Sequence, residues 1–414
     1  MVNIFRCFSV LLVLLHSNVY AIIVGAERPT MYLPKLSNKQ VGLVVNPSSR
    51  AFDQHLVDYL VNQGITVSAI FSPEHGFRGD KGAGEKVADD KDSVSGAPIY
   101  SLYGKTRKPT AQMLQNVDIL VFDIQDVGVR FYTYISTLHY VLEAASEENI
   151  PVIVLDRPNP NIRFIDGPIL EPDFQSFVGM HPIPILHGMT VGELAQMIKG
   201  EDWLDNSKPI NLDVVPVANY TRSMPYSLPV APSPNLPNDQ AIQLYPSLCL
   251  FEPSIMSIGR GTPFPFQVIG HDQVHLGQFA FTPISMPSSA PTPKLQDTLL
   301  MGLDLRTSEQ KGLDLELLIE SLRRSQALNI EFFTSPSFFD KLAGSDKLRL
   351  ALLRGESEAT IRAGWQAGLS EFKQLRHSYL LYSETSPNNQ AHSPTTETVN
   401  SDGPPELKPY RAYR

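Results

Sequence analysis

At 414 residues the chain exceeds what one hydrophobic core usually serves, so at least two domains are expected. A content of 42% hydrophobic and 19% charged residues is that of a globular protein and excludes a disordered or collagen-like one. With 34 Lys and Arg against 43 Asp and Glu, the net charge of -9 excludes a protein built to hold nucleic acid, because phosphate binding needs a basic surface. A local cationic pocket for one anionic group stays compatible with that charge.

Residues 1–21 read as an export signal. Arg6 provides a positive start, Phe8 to Leu15 an apolar run too short for a comfortable membrane span, and Val19-Tyr20-Ala21 a small-residue cleavage site. The expected location is periplasmic or secreted. No other stretch reaches 18 uninterrupted apolar residues, so no membrane span is expected in the processed chain. Cys249 lies in the apolar run Leu248-Cys249-Leu250-Phe251 and reads as a buried thiol.

In chain order, Gln40 to Asn46 is an apolar run that predicts a buried strand, followed by a turn at Pro47-Ser48-Ser49 and a helix over 51–63. Thr66 to Phe71, Val117 to Gln125 and Pro151 to Asp156 predict three more strands, with a helix over 131–149 between the last two. A helix starts at Thr190, where Thr190-Val191-Gly192-Glu193 has the form of a capping box. Short apolar strands alternating with helices imply βαβ units and a mostly parallel sheet covered on both faces. Near Val230 the texture changes, and the Pro-rich run 231–237 reads as a crossing between domains. Helical pieces over 311–326 and 345–371 then suggest a smaller α+β domain. After Ser383 the chain is polar and Pro-containing and is expected to be a disordered tail. The expected units are thus a signal over 1–21, an α/β domain over 22–235, a smaller domain over 236–382 and a tail over 383–414.

Polar residues gather behind the predicted strands. Asn46 ends the first, and Glu74, His75 and Arg78 follow the second. Asp123, Gln125, Asp126, Arg130 and Tyr132 follow the third, and Asp156, Arg157 and Asn159 the fourth. Ligands of open parallel sheets sit at the carboxyl ends of the strands, so this edge is the expected site. No G-x-G-x-x-G follows the first strand and no phosphate-loop motif occurs, so no nucleotide cofactor is expected. There is no paired Cys or H-E-x-x-H for a metal and no G-x-S-x-G serine elbow. Carboxylates offer more. Glycoside hydrolysis needs a proton donor at the leaving oxygen and a second group to stabilise the cationic transition state. Glu74, partly desolvated by Phe71 and Phe77, suits the first role, while Asp123 and Asp156 suit loop caps. Arg78, Arg130, Arg157 and Arg260 are candidates to grip an anionic substrate, or to pair internally with those Asp residues.

The same runs carry a family resemblance. SPEHGFRGDKGAGEKV (72–87), VDILVFDIQDVGVRFYTYI (117–135), VLDRPNPN (154–161), and the later PSPNLP, YPSLCLFE and SIGRGTPFPFQVIG resemble the exo-β-N-acetylmuramidases over about residues 38–370. The resemblance implies a Rossmann-like N-terminal domain, a smaller C-terminal domain and an active site in the cleft between them. It implies an exo-acting hydrolase that releases N-acetylmuramic acid from the non-reducing ends of peptidoglycan fragments, with muropeptide-derived disaccharides or glycan ends as partners and no cofactor. The family's two glutamates fall on Glu74 and Glu85. Glu74 is favoured as general acid because it sits closest to a strand end, His75 stands beside it, and the choice between the glutamates stays open. Asn46, Arg78, Asp123, Gln125, Asp126, Arg130, Tyr132, Arg157, Asn159 and Arg260 are the expected substrate-binding set, with Tyr103 and Tyr134 as further lining. The substrate's 2-acetamido group can serve as internal nucleophile, with Asp123 or Asp126 orienting it. The stretch from 271 to 300 is shorter and richer in Pro and Ser than the family's. A non-catalytic sugar-binding protein on the same fold is the alternative.

Overall fold

The computed structural model describes residues 21–74, 76–78, 90–205 and 208–385. Twelve strands lie among them, in chain order β1 Gln40–Val45, β2 Arg50–Ala51, β3 Gln54–His55, β4 Thr66–Ser72, β5 Asp90–Lys91, β6 Pro98–Ser101, β7 Ile119–Asp123, β8 Val152–Leu155, β9 Leu212–Val215, β10 Val268–His271, β11 Phe279–Phe281 and β12 Leu300–Asp304. The central sheet has the order β5-β6-β4-β1-β7-β8-β9, and all its neighbours are parallel except β5 with β6. β10, β12 and β11 form a separate antiparallel sheet in the C-terminal part. The architecture is α/β, with a smaller C-terminal α+β part.

The period-two geometry of strands divides the apolar runs between two cores. Val44, Phe71, Leu120, Phe122, Val152 and Val154 enter one core, which continues into the C-terminal part through Leu236, Tyr245, Phe266 and Leu318. Leu43, Val45, Ile70, Val121, Ile153 and Leu155 enter the other, under Leu56 and Leu60. Continuous hydrophobicity along β1 and β7 therefore reflects a sheet buried on both faces.

Local signals act where they were expected. The Tyr134–Glu148 helix ends at Asn149 in the left-handed region (φ 55°), and the Val191–Gly200 helix carries a complete capping box, with Glu193 N–H on Thr190 Oγ1 and Thr190 N–H on Glu193 Oε2. Three expectations change. The helix over 51–63 is shortened to Leu56–Asn62, because Phe52 turns with φ 55° and closes the β2–β3 hairpin. The helix over 345–371 divides into Lys347–Leu353, Glu358–Ala363 and Gln366–His377. Gly355 (φ 72°) ends the first piece and Ser357 caps the second. The 311–326 helix begins only at Glu316, whose N–H bonds Asp314 Oδ1. β6, β9 and the small sheet were not predicted. No helix among the described residues is long and apolar enough to cross a membrane. Residues 1–20 of the expected export signal, the Gly-rich run 79–89 and residues 386–414 of the expected tail lie outside the described residues.

Candidate active site

The site begins where β4 ends. Ser72 is buried, and Pro73 turns the chain so that Glu74 is half-buried and faces a cavity of about 170 Å³. Gly76 (φ 73°) permits the next turn. Phe77 then packs edge-on against His55, and Arg78 reaches both Asp58 (2.7 Å) and Asp92 (2.8 Å). Burial pushes the Asp92 carboxyl up, but the Ser95 N–H, the Arg78 guanidinium and the Ser95 hydroxyl outweigh it and hold the carboxyl below its ordinary range. This clamp anchors the segment that bears Glu74.

Three parts of the chain wall the cavity. Glu74 and 131–134 come from the sheet edge, Ser233, Asn235 and Leu236 from the Pro-rich crossing, and Tyr245, Arg260, Phe266 and Ser289 from beyond it. The segment read as a linker is therefore a wall: Asn235 Nδ2 donates to Ser289 O at 2.8 Å, while Tyr132 Oη (2.9 Å) and Tyr134 Oη (3.4 Å) donate to Pro232 O. Tyr132 meets Tyr134 edge-on at 4.9 Å and Tyr245 at 5.7 Å, and Tyr245 meets Phe266 at 5.1 Å, so the wall is a continuous aromatic surface.

Two tyrosine phenols feel the charge of Glu74. Tyr103 stands beside its carboxylate, and burial followed by that carboxylate's charge pushes the Tyr103 phenol up. Burial also pushes up the Tyr134 phenol, which feels the charge of Glu74. Asn46 Oδ1 accepts from Ser48 N–H at 2.9 Å, which turns the buried Nδ2 toward the Tyr134 hydroxyl without completing a well-formed hydrogen bond.

Most of the other strand-end candidates are used inside the protein. Arg157 holds Asp123 bidentately (2.6 and 2.9 Å), both groups buried. Arg130 is fully buried and donates to the carbonyls of Pro168, Ile183 and Leu342, and burial lowers it to about 9. Gln125 bonds Asp126 O and Pro158 O, and Asn159 bonds Met189 O. Asp126 accepts from Gly128 N–H at 2.6 Å. Burial pushes its carboxyl up to about 7 against that bond, and its Oδ1 has no partner. Asp156 binds Thr190 Oγ1, Gly192 N–H and Tyr382 Oη, the loop-holding role expected of it.

The expectation of four substrate-gripping arginines is thus corrected in three cases. Arg78, Arg130 and Arg157 satisfy internal carboxylates or carbonyls, and among the described residues Arg260 is the one arginine that borders the cavity. Asn46, Asp123, Gln125, Asp126 and Asn159 are likewise absent from its lining, whereas Tyr132 is part of it. His75 and Glu85 lie outside the described residues. Tyr245, Phe266 and Asn235 were missed, although each falls in a run quoted above for the resemblance. Among the described residues no group of three or more His, Cys, Asp or Glu is placed to hold a metal.

A parallel sheet with a carboxylate in an aromatic, hydroxyl-bearing cavity is the layout of a carbohydrate-active enzyme, and the comparisons with known proteins agree. Residues 41–240 match the family described as exo-beta-N-acetylmuramidase NamZ, N-terminal, and 243–382 its C-terminal counterpart. The peptidoglycan beta-N-acetylmuramidase NamZ of Bacillus subtilis (strain 168) is 41% identical over 372 residues, 85% of this chain and 89% of that protein. Crystal structures of two DUF1343 family proteins from Bacteroides fragilis NCTC 9343 are also similar. One has a TM-score of 0.81 at 42% identity, over 88% of this chain and 100% of that one. The other has 0.76 at 32%, over 87% and 99%. The chain belongs to the exo-beta-N-acetylmuramidase NamZ family of glycoside hydrolases.

Proposed function

We propose that this protein is an exo-acting hydrolase that releases N-acetylmuramic acid from the non-reducing ends of peptidoglycan fragments, with Glu74 as general acid in the cleft between domains over 22–235 and 236–382. The observation that carries the reading is that Glu74 is the one carboxylate among the described residues lining the aromatic cavity. A carboxyl at that place can protonate the glycosidic oxygen, while the aromatic wall receives the apolar face of the sugar ring. Tyr103 places a phenol beside Glu74. The small cavity favours one terminal sugar over a chain threaded through. The 2-acetamido group of the substrate fits the role of internal nucleophile, one of the departures from the two-carboxylate scheme. Export through the signal at 1–21 would bring the enzyme to peptidoglycan, in the periplasm or outside the cell.

The test uses the processed protein with a chromogenic β-N-acetylmuramide and the matching β-N-acetylglucosaminide. Cleavage of the first is expected. Glu74→Gln should lower kcat by about 100- to 10,000-fold without altering the fold. Full activity in Glu74→Gln together with its loss in Glu85→Gln would move the acid to Glu85.

A further inference from the structure

A second pocket of about 290 Å³ lies against the first, and Arg260 stands in the lining of both. The chain around Arg260 is built to aim it. Gly259 (φ 81°) and Gly261 (φ 79°) flank it, and a Cβ would fall 2.5 Å from Phe264 O at the first and 2.6 Å from Ile284 O at the second. Only glycine fits both positions. The guanidinium lies 4.9 Å over the Phe266 ring and gives one edge, Nε and Nη2, to Glu252 at 2.7 and 2.6 Å. A guanidinium has five N–H donors in a fixed fork, so the Glu252 contact leaves the opposite edge for a second planar anion.

The second pocket adds charge of the right sign. Lys294 anchors its wall by donating to the carbonyls of Phe251, Glu252 and Ser254. Burial pushes its ammonium down to about 8, which still leaves it mostly cationic at neutral pH. Arg260 and Lys294 outnumber Glu252 in the lining, which makes a locally positive pocket in a chain of net charge -9.

N-acetylmuramic acid differs from N-acetylglucosamine by a 3-O-lactyl ether that ends in a carboxylate. We infer that Arg260 reads this carboxylate and that the second pocket is the subsite for the lactyl group, with the pyranose ring in the first. Arg260 is then the specificity-determining residue, and Glu252 positions it. This inference rests on the activity proposed above.

The experiment compares wild type and Arg260→Met on a chromogenic β-N-acetylmuramide and on the same compound with its lactyl carboxylate converted to the N-methylamide. Wild type is expected to prefer the free acid by at least ~10-fold in kcat/KM, and Arg260→Met to reduce that ratio to near one mainly through the free acid. An equal loss on both compounds, or an unchanged ratio, overturns the inference. Calorimetric binding of N-acetylmuramic acid and N-acetylglucosamine separates the two readings. If wild type cleaves nothing, the proposed activity fails, while equal N-acetylmuramic acid affinity in wild type and Arg260→Met overturns the role of Arg260. Thr292→Trp fills the second pocket and leaves Arg260 in place. It should weaken N-acetylmuramic acid binding and spare N-acetylglucosamine; unchanged N-acetylmuramic acid binding overturns the subsite.

Discussion

The turn after β4 and the loops after β7 and β8 present the same kinds of side chain at one edge of one sheet, yet they do opposite work. Behind β4, Arg78 is drawn off to Asp58 and Asp92, and Glu74 is left half-buried at the cavity with Tyr103. Behind β7 and β8, Asp123 and Arg157 satisfy each other, Asn159 supports Met189 and the turn at Asn161, and Asp156 ties down a helix start. The difference lies in hydrogen-bond saturation. A buried polar group whose partners all come from the protein is scaffold, while a group with part of its bonding capacity open to a cleft is available for chemistry.

This contrast can be broken by experiment. The largest expected effect is on activity: Glu74→Gln should remove most turnover and leave the denaturant midpoint nearly unchanged. The mirror image is Arg157→Met, which strands Asp123 as an unpaired buried charge and should cost about 3–5 kcal/mol of stability, read as a lowered urea midpoint. Should Arg157→Met unfold no more easily than wild type while losing all turnover, the scaffold assignment of that loop would be wrong.

Asp126 sharpens the comparison through pH. Its folded value of about 7 lies above that of an unfolded aspartate, so the folded state binds more protons between about pH 4 and 7. Its contribution to stability is therefore present below that window and lost as pH rises through it, by up to roughly 4 kcal/mol. Asp126→Asn should flatten the fall, which melting temperatures from pH 4 to 8 would reveal; an identical slope in both proteins would exclude Asp126 as its source. Gly128→Ala tests the same loop by shape. Gly128 has φ 77°, and a Cβ there would meet the Asn159 side chain at 2.1 Å, so a loss of about 1–3 kcal/mol is expected by denaturant titration. The smallest effect belongs to Tyr103→Phe, which removes the hydroxyl beside Glu74. A fall of about 3- to 10-fold in kcat, with a displaced pH–rate profile, is expected.

How much of this was legible depended on the range of the forces involved. The strands β1, β4, β7 and β8, the capping box at Thr190 and the carboxylate after β4 follow from local pattern: apolar runs, capping geometry and the turn at Pro73. β6, which lies between β5 and β4, and the edge strand β9 are short and carry little pattern of their own, being specified by their neighbours in the sheet. Tyr245, Phe266 and Ser289 reach the site from far along the chain, and no spacing rule connects them to Glu74. The stretch 271–300, which stood out as Pro- and Ser-rich, contributes Ser289 to the first cavity and Ala290 to the wall of the second.

The amino-acid sequence by itself determined the α/β class, the sheet edge that bears the candidate site and the family, because hydrophobic periodicity and long ungapped motifs are local properties of a chain. Only the tertiary structure decided which of four arginines stays open to a ligand. An arginine's role depends on whether its donors meet a carbonyl or carboxylate brought in from elsewhere, as Leu342 is for Arg130, and that meeting occurs only when distant segments pack together.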